Sequence, residues 1–413
     1  MGLARVQLLS RGAQDVYLTG TPKVSLFRTV YHRHTNFAME TIEQLFYKEP
    51  TWGSSCTAVL GTHGDLLHST FLRVTASELV TNEPVEFFRY TNCFAHALLK
   101  RCNLKIGGQL VNTVTGEWME VWDELSNAEI KRNGYGHSVG KLYYKDLPDD
   151  YHKSTDQITF ENQMGRKRPV TFFLPIRFHM RSPELALPVA SLRHQQVTME
   201  FEFRALEELV NWKRVGDDMN SGDMPVASPD INIDLFAMYV FLDADEKKFV
   251  VNRKHEYLIE QFQHSRFDTK RDCKLHIPFK NPIKEIVWTV SLPSARTQNV
   301  HFAYGENDAT ERVTFCQLLL NDEPTLPKIS PKYFRTVVPH TRHTRVPSRH
   351  VYCHSYAIKP EATFPTGSCN YSRYRHAHLL LQLSNDQNIV DVHAVGYNVL
   401  RIFNGYASLA YKM

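Results

Sequence analysis

The sequence predicts an all-β protein built from two β-sandwich domains in tandem. Short apolar runs recur along both halves of the 413 residues, and turn residues separate them. Aromatic residues make up 12% of the chain, and 20 Pro and 19 Gly are spread along it, which favours strands joined by turns. The few helical periods are short and do not alternate with strands, so an α/β fold is not indicated. The length exceeds one ordinary core and predicts two domains.

Composition excludes several classes of protein. Apolar residues at 42% and charged residues at 22% are typical of a folded globular chain. A net charge of +4 is far below the clustered excess of dedicated DNA-binding proteins, so no nucleic-acid partner is expected. Neither a transmembrane helix nor a secretory signal is predicted, because no apolar run approaches 18 residues and the N-terminus lacks the required apolar region. The seven cysteines are odd in number and widely spaced, which predicts free thiols in a reducing compartment.

The first half is predicted to hold an N-terminal arm and the first domain. Residues 1–24 show little periodicity and form the arm, and residues 25–205 form the domain. A short helix over 25–32 would have Ser25 as its N-cap. Strands are predicted over 37–46, 66–75, 109–114 and 170–178, and the segment 94–106 begins with helical spacing and ends as a strand.

One longer helix interrupts the strands of the first half. Trp118, Val121, Trp122 and Leu125 recur at helical spacing and predict a helix over 116–131 that packs on a sheet rim. The polar, turn-rich residues that follow, 134–168, are predicted to form a surface loop.

The second half restarts after a predicted linker. Residues 206–229 are charged and broken by Gly and Pro, so the second domain is assigned to residues 230–413. Its predicted elements are strands over 231–242, 257–263, 286–292 and 377–383 and a short helix over 245–253. The runs 389–395 and 397–403 flank Gly396, and they predict either two short strands or one long bent strand.

The histidines invite a metal-site hypothesis that the pattern does not favour. His32 and His34 are two residues apart, and His376 and His378 lie on one face of a predicted strand, with His393 as a further ligand. The cupin pattern requires a Glu soon after such an HxH pair, and none follows. Neither a nucleophile elbow nor a phosphate-binding glycine loop occurs. We therefore predict no catalytic, cofactor-binding or metal residue.

The most basic segment, 328–350, has two interpretations. It contains no acidic residue and includes Lys328, Lys332, Arg335, Arg342, Arg345 and Arg349. It could bind phosphate, but a proline-punctuated surface loop that contacts an acidic neighbour or anionic lipid is favoured. The nearby glycosylation sequon at Asn370 is interpreted as structural, because no secretory signal accompanies it.

Ordered blocks of sequence resemble one protein family along almost all of residues 12–413. The blocks include GAQDVYLTG and VYHRHTNFAME near the start, IGGQLVNTVTGEWMEVWDELS and LPIRFHMRSPELALPVASLRHQQVTMEFEF in the first half, and EYLIEQFQ, PFKNPIKEIVWTV, PEATFPTGSCNYSRYRHAHLLL and GYNVLRIFNGYASLAY in the second. Together they are similar to the major capsid proteins of nucleocytoplasmic large DNA viruses, such as those of iridoviruses, phycodnaviruses and marseilleviruses. The chain departs from the family pattern at Phe178-His179-Met180 and before His194, where members carry more aromatic residues.

The resemblance implies two eight-stranded antiparallel jelly rolls and a structural role without enzymatic activity. It implies homotrimers that act as pseudo-hexameric capsomers in an icosahedral shell over an internal membrane, with the N-terminal arm on the inner side. It also implies neighbouring capsomers, minor capsid proteins and penton proteins as partners, residence in the virion and assembly in the host cytoplasm. The alternatives are a minor capsid paralogue, a cupin-like metal enzyme, or a glycan-binding β-sandwich with Trp52 or Trp212 as its aromatic platform.

Overall fold

The computed structural model describes residues 3–23, 25–27, 33–81, 83–141, 170–214, 216–225, 229–305, 311–325 and 328–411. The chain divides into two compact units, residues 1–36 and 37–413. The first unit contains helix α1 (Leu3–Leu9), a 3-10 turn and helix α2 (Val16–Thr19), and nearly all its described side chains are exposed. The helix expected over 25–32 lies mostly outside the described residues, and 25–27 are not helical.

The second unit is predominantly β-structure. Its first strands are β1 (Phe37–Gln44), β2 (Ser55–Leu60), β3 (Leu66–Ala76), β4 (Val85–Tyr90), β5 (Leu99–Ile106), β6 (Gln109–Val114), β7 (Val170–Ile176), β8 (Val197–Phe203), β9 (Val210–Arg214) and β10 (Ile231–Leu242). The later strands are β11 (His255–Thr269), β12 (Asp272–His276), β13 (Pro282–Ser291), β14 (Val313–Leu320), β15 (Glu323–Pro324), β16 (Val351–Ser355), β17 (Cys369–Asn370), β18 (Ala377–Leu383), β19 (Asn388–Phe403) and β20 (Tyr406–Leu409). The helices are α3 (Phe94–Leu98), α4 (Gly116–Ser126), α5 (Arg132–Val139), α6 (Ala244–Asn252), α7 (Pro293–Thr297) and α8 (Val338–Arg342).

Two sandwiches with the same strand order make up this unit. In the first roll, β1-β10-β3-β7 form sheet A1 and β2-β8-β5-β6 form sheet B1. In the second roll, β11-β19-β13-β16 form sheet A2 and β12-β18-β14-β15 form sheet B2. The separate β4–β9 pair and the short strands β17 and β20 are left out here, and the eight remaining strands of each roll are numbered 1 to 8 in chain order. Each roll then has the strand order 1-8-3-6 in one sheet and 2-7-4-5 in the other. The predicted tandem of eight-stranded antiparallel jelly rolls is confirmed.

Alternating side chains build the core of each roll. In β8 every second residue from Val197 to Phe203 is buried, and in β3 Leu72 and Val74 are fully buried. Their neighbours along each strand face away from the core, as the two-residue period of a strand requires. Burial of one such large apolar side chain contributes about 1.5–3 kcal/mol, so the paired sheet faces hold each sandwich together.

The predicted division between the domains at 206–229 is wrong in two respects. Residues 210–214 form β9, which pairs with β4, so part of the supposed linker is structured. Strand 231–242 was assigned to the second domain, but it lies between β1 and β3 in sheet A1. A charged, glycine-containing composition does not reveal such pairing, because the partner strands are distant in sequence. The sheets divide after Leu242, where α6 leads into the second roll.

The C-terminal apolar runs form one continuous strand, β19, that pairs with β11 on one side and β13 on the other. Gly396 lies within it opposite an irregularity between Ile283 and Glu285. A Cβ at Gly396 would lie 2.9 Å from the Pro282 carbonyl oxygen, so the close approach of β13 requires glycine. Of the two interpretations of this segment, the single long strand is correct.

Two further segments differ from expectation. The helix predicted over 116–131 ends at Ser126, and the first residues of the predicted loop, 134–139, belong to helix α5. Most of the rest of that loop, 142–168, lies outside the described residues. Within the part of the chain that the structure describes, no helix is long and apolar enough to cross a membrane.

Candidate functional site

Helix α4 lies between the two jelly rolls rather than on a sheet rim as expected. Every residue from Gly116 to Leu125 is buried, so both its apolar and its charged faces are covered. Trp118 stacks on Phe262 of β11 with ring centres 5.0 Å apart, and it also packs on His393 of β19. The helix therefore links the first roll to sheet A2 of the second.

The start of α4 is set by a cap and a close approach. The Thr115 hydroxyl oxygen accepts a hydrogen bond from the Trp118 amide at 3.2 Å, which satisfies one of the free N–H groups of the first turn. A Cβ on Gly116 would collide with the carbonyl oxygens of His96 and Leu99. Glycine at this position thus lets the helix pack directly against α3 and β5.

Four carboxylates of α4 are buried, and each has cationic partners. Glu117 Oε1 lies 2.6 Å from Arg204 of the first roll and 3.3 Å from Arg266 of the second. Burial alone would raise the pKa of Glu117, but the two guanidinium groups lower it to about 2. One carboxylate is thus shared by cations of both rolls.

Lys141 is the cation at the centre of the cluster. Its Nζ lies 2.7 Å from Glu120, 2.6 Å from Asp123 and 2.7 Å from Glu124. Burial acts to lower the pKa of Lys141, but the three carboxylates raise it well above its ordinary value. The same pairing holds the pKa of Glu124 at about 2, against the effect of burial. Lys141, Glu120 and Glu124 therefore remain charged at neutral pH.

The basic segment 328–350 supplies the second roll's side of the junction. Arg349 lies 3.1 Å from Glu120, and Arg345 lies 3.2 Å from Glu124. Arg345 Nε also donates to the Glu124 carbonyl oxygen at 3.0 Å, so it caps the C-terminal end of α4. The acidic neighbour expected for this segment is a helix of the same chain. The favoured interpretation of a surface loop is wrong for Arg345, which is buried, and for Arg349, which is largely covered.

A second charged contact secures the same segment within its own roll. His343 lies 3.1 Å from Glu285 through Nε2 and 3.1 Å from Glu361 through Nδ1. Burial acts to lower the pKa of His343, but the carboxylates, chiefly Glu285, raise it to about 12. A protonated imidazole at this position fixes the chain before β16.

Side-chain amides join the edges of the two rolls. Asn112 of β6 accepts from the Phe262 amide at 3.1 Å and donates to the Glu260 carbonyl oxygen at 3.0 Å. Gln261 donates to the Val111 carbonyl oxygen at 2.7 Å. These amides satisfy the edge of β11 as a partner strand would, so the rolls are connected by directional hydrogen bonds as well as by charge.

His393 occupies an apolar position in the same junction. It is fully buried, stacks on His264 with ring centres 4.8 Å apart, and touches Trp118 and Phe262. Burial lowers its pKa to about 3. The neighbouring Asp391 is paired with Arg266 and Arg296 at 2.7 and 2.8 Å.

The other sequence candidates are dispersed. The His376 and His378 rings lie 6.2 Å apart, and the described residues contain no group of three or more His, Cys, Asp or Glu that could hold a metal ion. Trp52 stacks on Tyr90 and Trp212 is buried, so neither forms an exposed aromatic platform. Asn370 accepts from the Ser372 amide, in keeping with a structural role. The seven cysteines are free, as predicted.

The central cation is the most sensitive point of the cluster. Replacement of Lys141 by Met would leave three buried carboxylates without their shared partner, so we expect the free energy of unfolding to fall by about 3–5 kcal/mol. The matched control is Lys105→Met, whose partner Glu200 lies on the half-exposed face of sheet B1. The Lys105→Met substitution is expected to lower the free energy of unfolding by less than about 1 kcal/mol. Denaturant unfolding measures both, and equal losses would contradict the assigned role of Lys141.

Acidification is expected to act through His393. In the unfolded chain His393 has its ordinary pKa of about 6.5, whereas in the folded chain its pKa is about 3. Between these two values protonation favours the unfolded chain, so the free energy of unfolding is highest above pH 6.5 and falls as the pH decreases towards 3. Replacement of His393 by Leu should reduce the slope of unfolding free energy against pH between 4 and 6 by about 1.4 kcal/mol per pH unit.

The control for that experiment is Phe262→Leu, which alters the same packing without removing a titrating group. It should lower the unfolding free energy at every pH and keep the wild-type slope. An unchanged slope in His393→Leu would contradict the assignment.

Comparison with known families agrees with this architecture. The family described as the major capsid protein N-terminus matches residues 25–243, and the family of large eukaryotic DNA virus major capsid proteins matches residues 246–408. The two matches meet near Leu242, where the sheets divide. The major capsid protein of Pyramimonas orientalis virus is 32% identical over 436 residues, which span all of both chains.

Solved structures show the same fold. The PBCV-1 virus capsid in a quasi-atomic model superposes with a TM-score of 0.77 at 22% identity, over 94% of this chain and 100% of that one. The Faustovirus major capsid protein gives a TM-score of 0.73 at 12% identity, over 95% and 94% of the two chains. With two eight-stranded rolls joined by a buried helix and family matches over both halves, the chain belongs to the major capsid proteins of large eukaryotic DNA viruses, a family of structural virion components that assemble into the capsid shell.

Proposed function

We propose that three copies of this chain form a homotrimeric capsomer with six similar lobes. The observation that supports it is the repeated strand order, 1-8-3-6 and 2-7-4-5, in two rolls fixed to each other through α4. Two equivalent rolls per copy give six lobes in a three-fold ring, and cyclic closure stops growth at three. Such a pseudo-hexameric unit fits six-fold positions of an icosahedral shell.

The corresponding domain organisation is an arm over 1–36, a first roll over 37–242 and a second roll over 255–409. The further partners are neighbouring capsomers at the sides, and minor capsid and penton proteins where the shell is stabilised or closed. Assembly in the host cytoplasm accords with the free cysteines. Direct nucleic-acid binding is not part of the proposal, because the second unit carries equal numbers of basic and acidic residues.

The arm is proposed to face an internal membrane. Residues 1–36 contain five Lys or Arg and one Asp, which accounts for the whole net charge of +4, since the rest of the chain has 43 basic and 43 acidic residues. Its exposed apolar side chains are Val6, Leu8, Leu9, Val16, Tyr17, Leu18, Leu26 and Phe27. Basic and apolar side chains together suit an anionic lipid surface.

The mass of the purified protein in solution tests the capsomer. Light scattering on a sizing column should give about three times 47.8 kDa, unchanged on dilution. A monomer at every concentration would contradict a trimer that forms unaided.

Binding to lipid vesicles tests the orientation of the arm. Wild-type protein should float with phosphatidylserine vesicles at low salt and dissociate as salt rises. The triple variant Arg5→Ser, Arg11→Ser, Lys23→Ser should bind roughly a hundredfold more weakly.

The matched control removes the same charge from the exposed surface of the second unit, as Lys247→Ser, Lys254→Ser, Lys274→Ser. It should bind as the wild type does. Equal loss in the two triple variants would show that net charge, and not the arm, directs binding.

A further inference from the structure

The equivalent sheets of the two rolls differ in what covers their outer faces. In sheet A2 the outer residues Phe262, Asp391 and His393 are buried. Trp118 of α4 packs on Phe262 and His393, and Arg181 of the first roll pairs with Glu260 of the same sheet. Sheet A1 has the same strand order, yet the corresponding face is exposed or half-exposed. Among the residues that the structure describes, the internal repeat therefore leaves one of two equivalent surfaces without its cover.

The uncovered face of A1 carries an apolar patch, with the exposed Glu43 of β1 opposite Phe236. Phe71 stacks on Phe236 with ring centres 5.2 Å apart, and Met238 lies beside them on β10. Met39 at the β1 edge and Phe173 on β7 are 48% and 45% exposed. One ion pair, Arg73 with Asp234, borders this patch. Contiguous apolar surface of this kind marks an interaction site in a soluble protein.

The outer face of B1 in the same roll provides the contrast. Its central residues are charged, and Glu200 and Glu202 pair with Lys105 and Lys100. Thr57 and Asn103 lie on either side of Glu200. One roll thus has one outer sheet with a charged centre and one with an apolar patch, so the apolar patch of A1 is not a general property of the roll's surface.

The first roll shows which parts of a roll cover such a face. Its connection between the fifth and sixth strands carries α4, and its connection between the sixth and seventh carries Arg181, which lies 3.4 Å from Glu260. The two connections adjoin, since Arg177 donates to the Ser126 hydroxyl oxygen at 3.3 Å. Together they cover sheet A2.

The second roll presents the same two connections at its surface. Residues 328–350 and 356–376 adjoin, because the Thr344 amide donates to Glu361 at 2.8 Å and Arg342 donates to the Ile358 carbonyl oxygen. Apolar side chains project from both of them, namely Val337 and Val346 in the first and Ile358 and Phe364 in the second. Ile358 and Phe364 are 63% and 60% exposed.

We infer that sheet A1 of one copy docks onto the 328–350 and 356–376 connections of the second roll of a neighbouring copy. In this contact the second-roll connections of one copy cover A1 of the neighbouring copy, just as α4 and Arg181 cover A2 within one copy. The expected partner is a second copy of this chain, because the second-roll connections are the counterpart of the first-roll connections that cover A2. The family also assembles from many copies. The inference rests on the proposed trimer and assigns its contact surfaces.

Two distant substitutions test the assignment. Met238→Glu places a charge on the A1 face, and Ile358→Glu places one on the second-roll connections. Both should give folded monomers by light scattering where the wild type is trimeric, because a buried unpaired charge should weaken each contact roughly a hundredfold or more. In a cyclic trimer all contacts are the same, and each joins two different surfaces of the chain. If a charge on the A1 face and a charge on the second-roll connections each abolish the trimer, those are the two surfaces that meet.

Val59→Glu, on the outer face of B1, is the matched control and should remain trimeric. Circular dichroism and thermal unfolding establish that the variants fold, with Met39→Glu and Val337→Glu as second choices on the same two surfaces. A trimeric wild type with a trimeric Met238→Glu or Ile358→Glu protein would overturn this contact and leave the capsomer intact. A monomeric wild type would overturn the capsomer and the contact together.

Discussion

The constraint on which the second unit depends is the burial of four carboxylates on one helix. Charges removed from water are costly unless each is paired and hydrogen-bonded, and α4 places Glu117, Glu120, Asp123 and Glu124 in the interior together. Their partners come from both rolls, with Lys141 and Arg204 from the first and Arg345 and Arg349 from the second. Separation of the rolls would remove cations from carboxylates that remain buried, so the two rolls behave as one body.

That rigidity matters for a protein that tiles a shell. A subunit contact can be specific only if the surfaces on either side keep a fixed relation, and the amide bridge from Asn112 to β11 adds directional restraint to the charge cluster. Hinged rolls would lose conformational entropy at every contact formed. The two rolls here have already lost that freedom on folding, so modest contacts between copies suffice when many repeat.

Several strands were predictable from the sequence, and their partners were not. Strand β10 has the predicted bounds because its alternation is local, but its place in sheet A1 depends on pairing with residues 155 to 205 positions away. In the same way, the acidic residues of α4 and the arginines of 328–350 can both be found in the sequence, but their pairing cannot. Charged residues in a sequence are usually interpreted as solvated surface. Trp118 and Trp122 on the same helix were the available signal, since a helix with tryptophans and carboxylates around its circumference has no plainly solvated side.

The chemistry of the two kinds of contact follows from when each one forms. The junction at α4 forms once, within a chain, so its charges meet their partners as part of folding. A contact between copies joins surfaces that are hydrated beforehand, and dehydration of several charges at that stage would oppose association. Apolar side chains such as Phe71, Phe236 and Met238 avoid that cost, and the Arg73–Asp234 pair at the border keeps the face soluble before assembly. An ionic junction inside the subunit and an apolar surface between subunits are thus two solutions to one requirement, which is to fix a repeated roll against its neighbour.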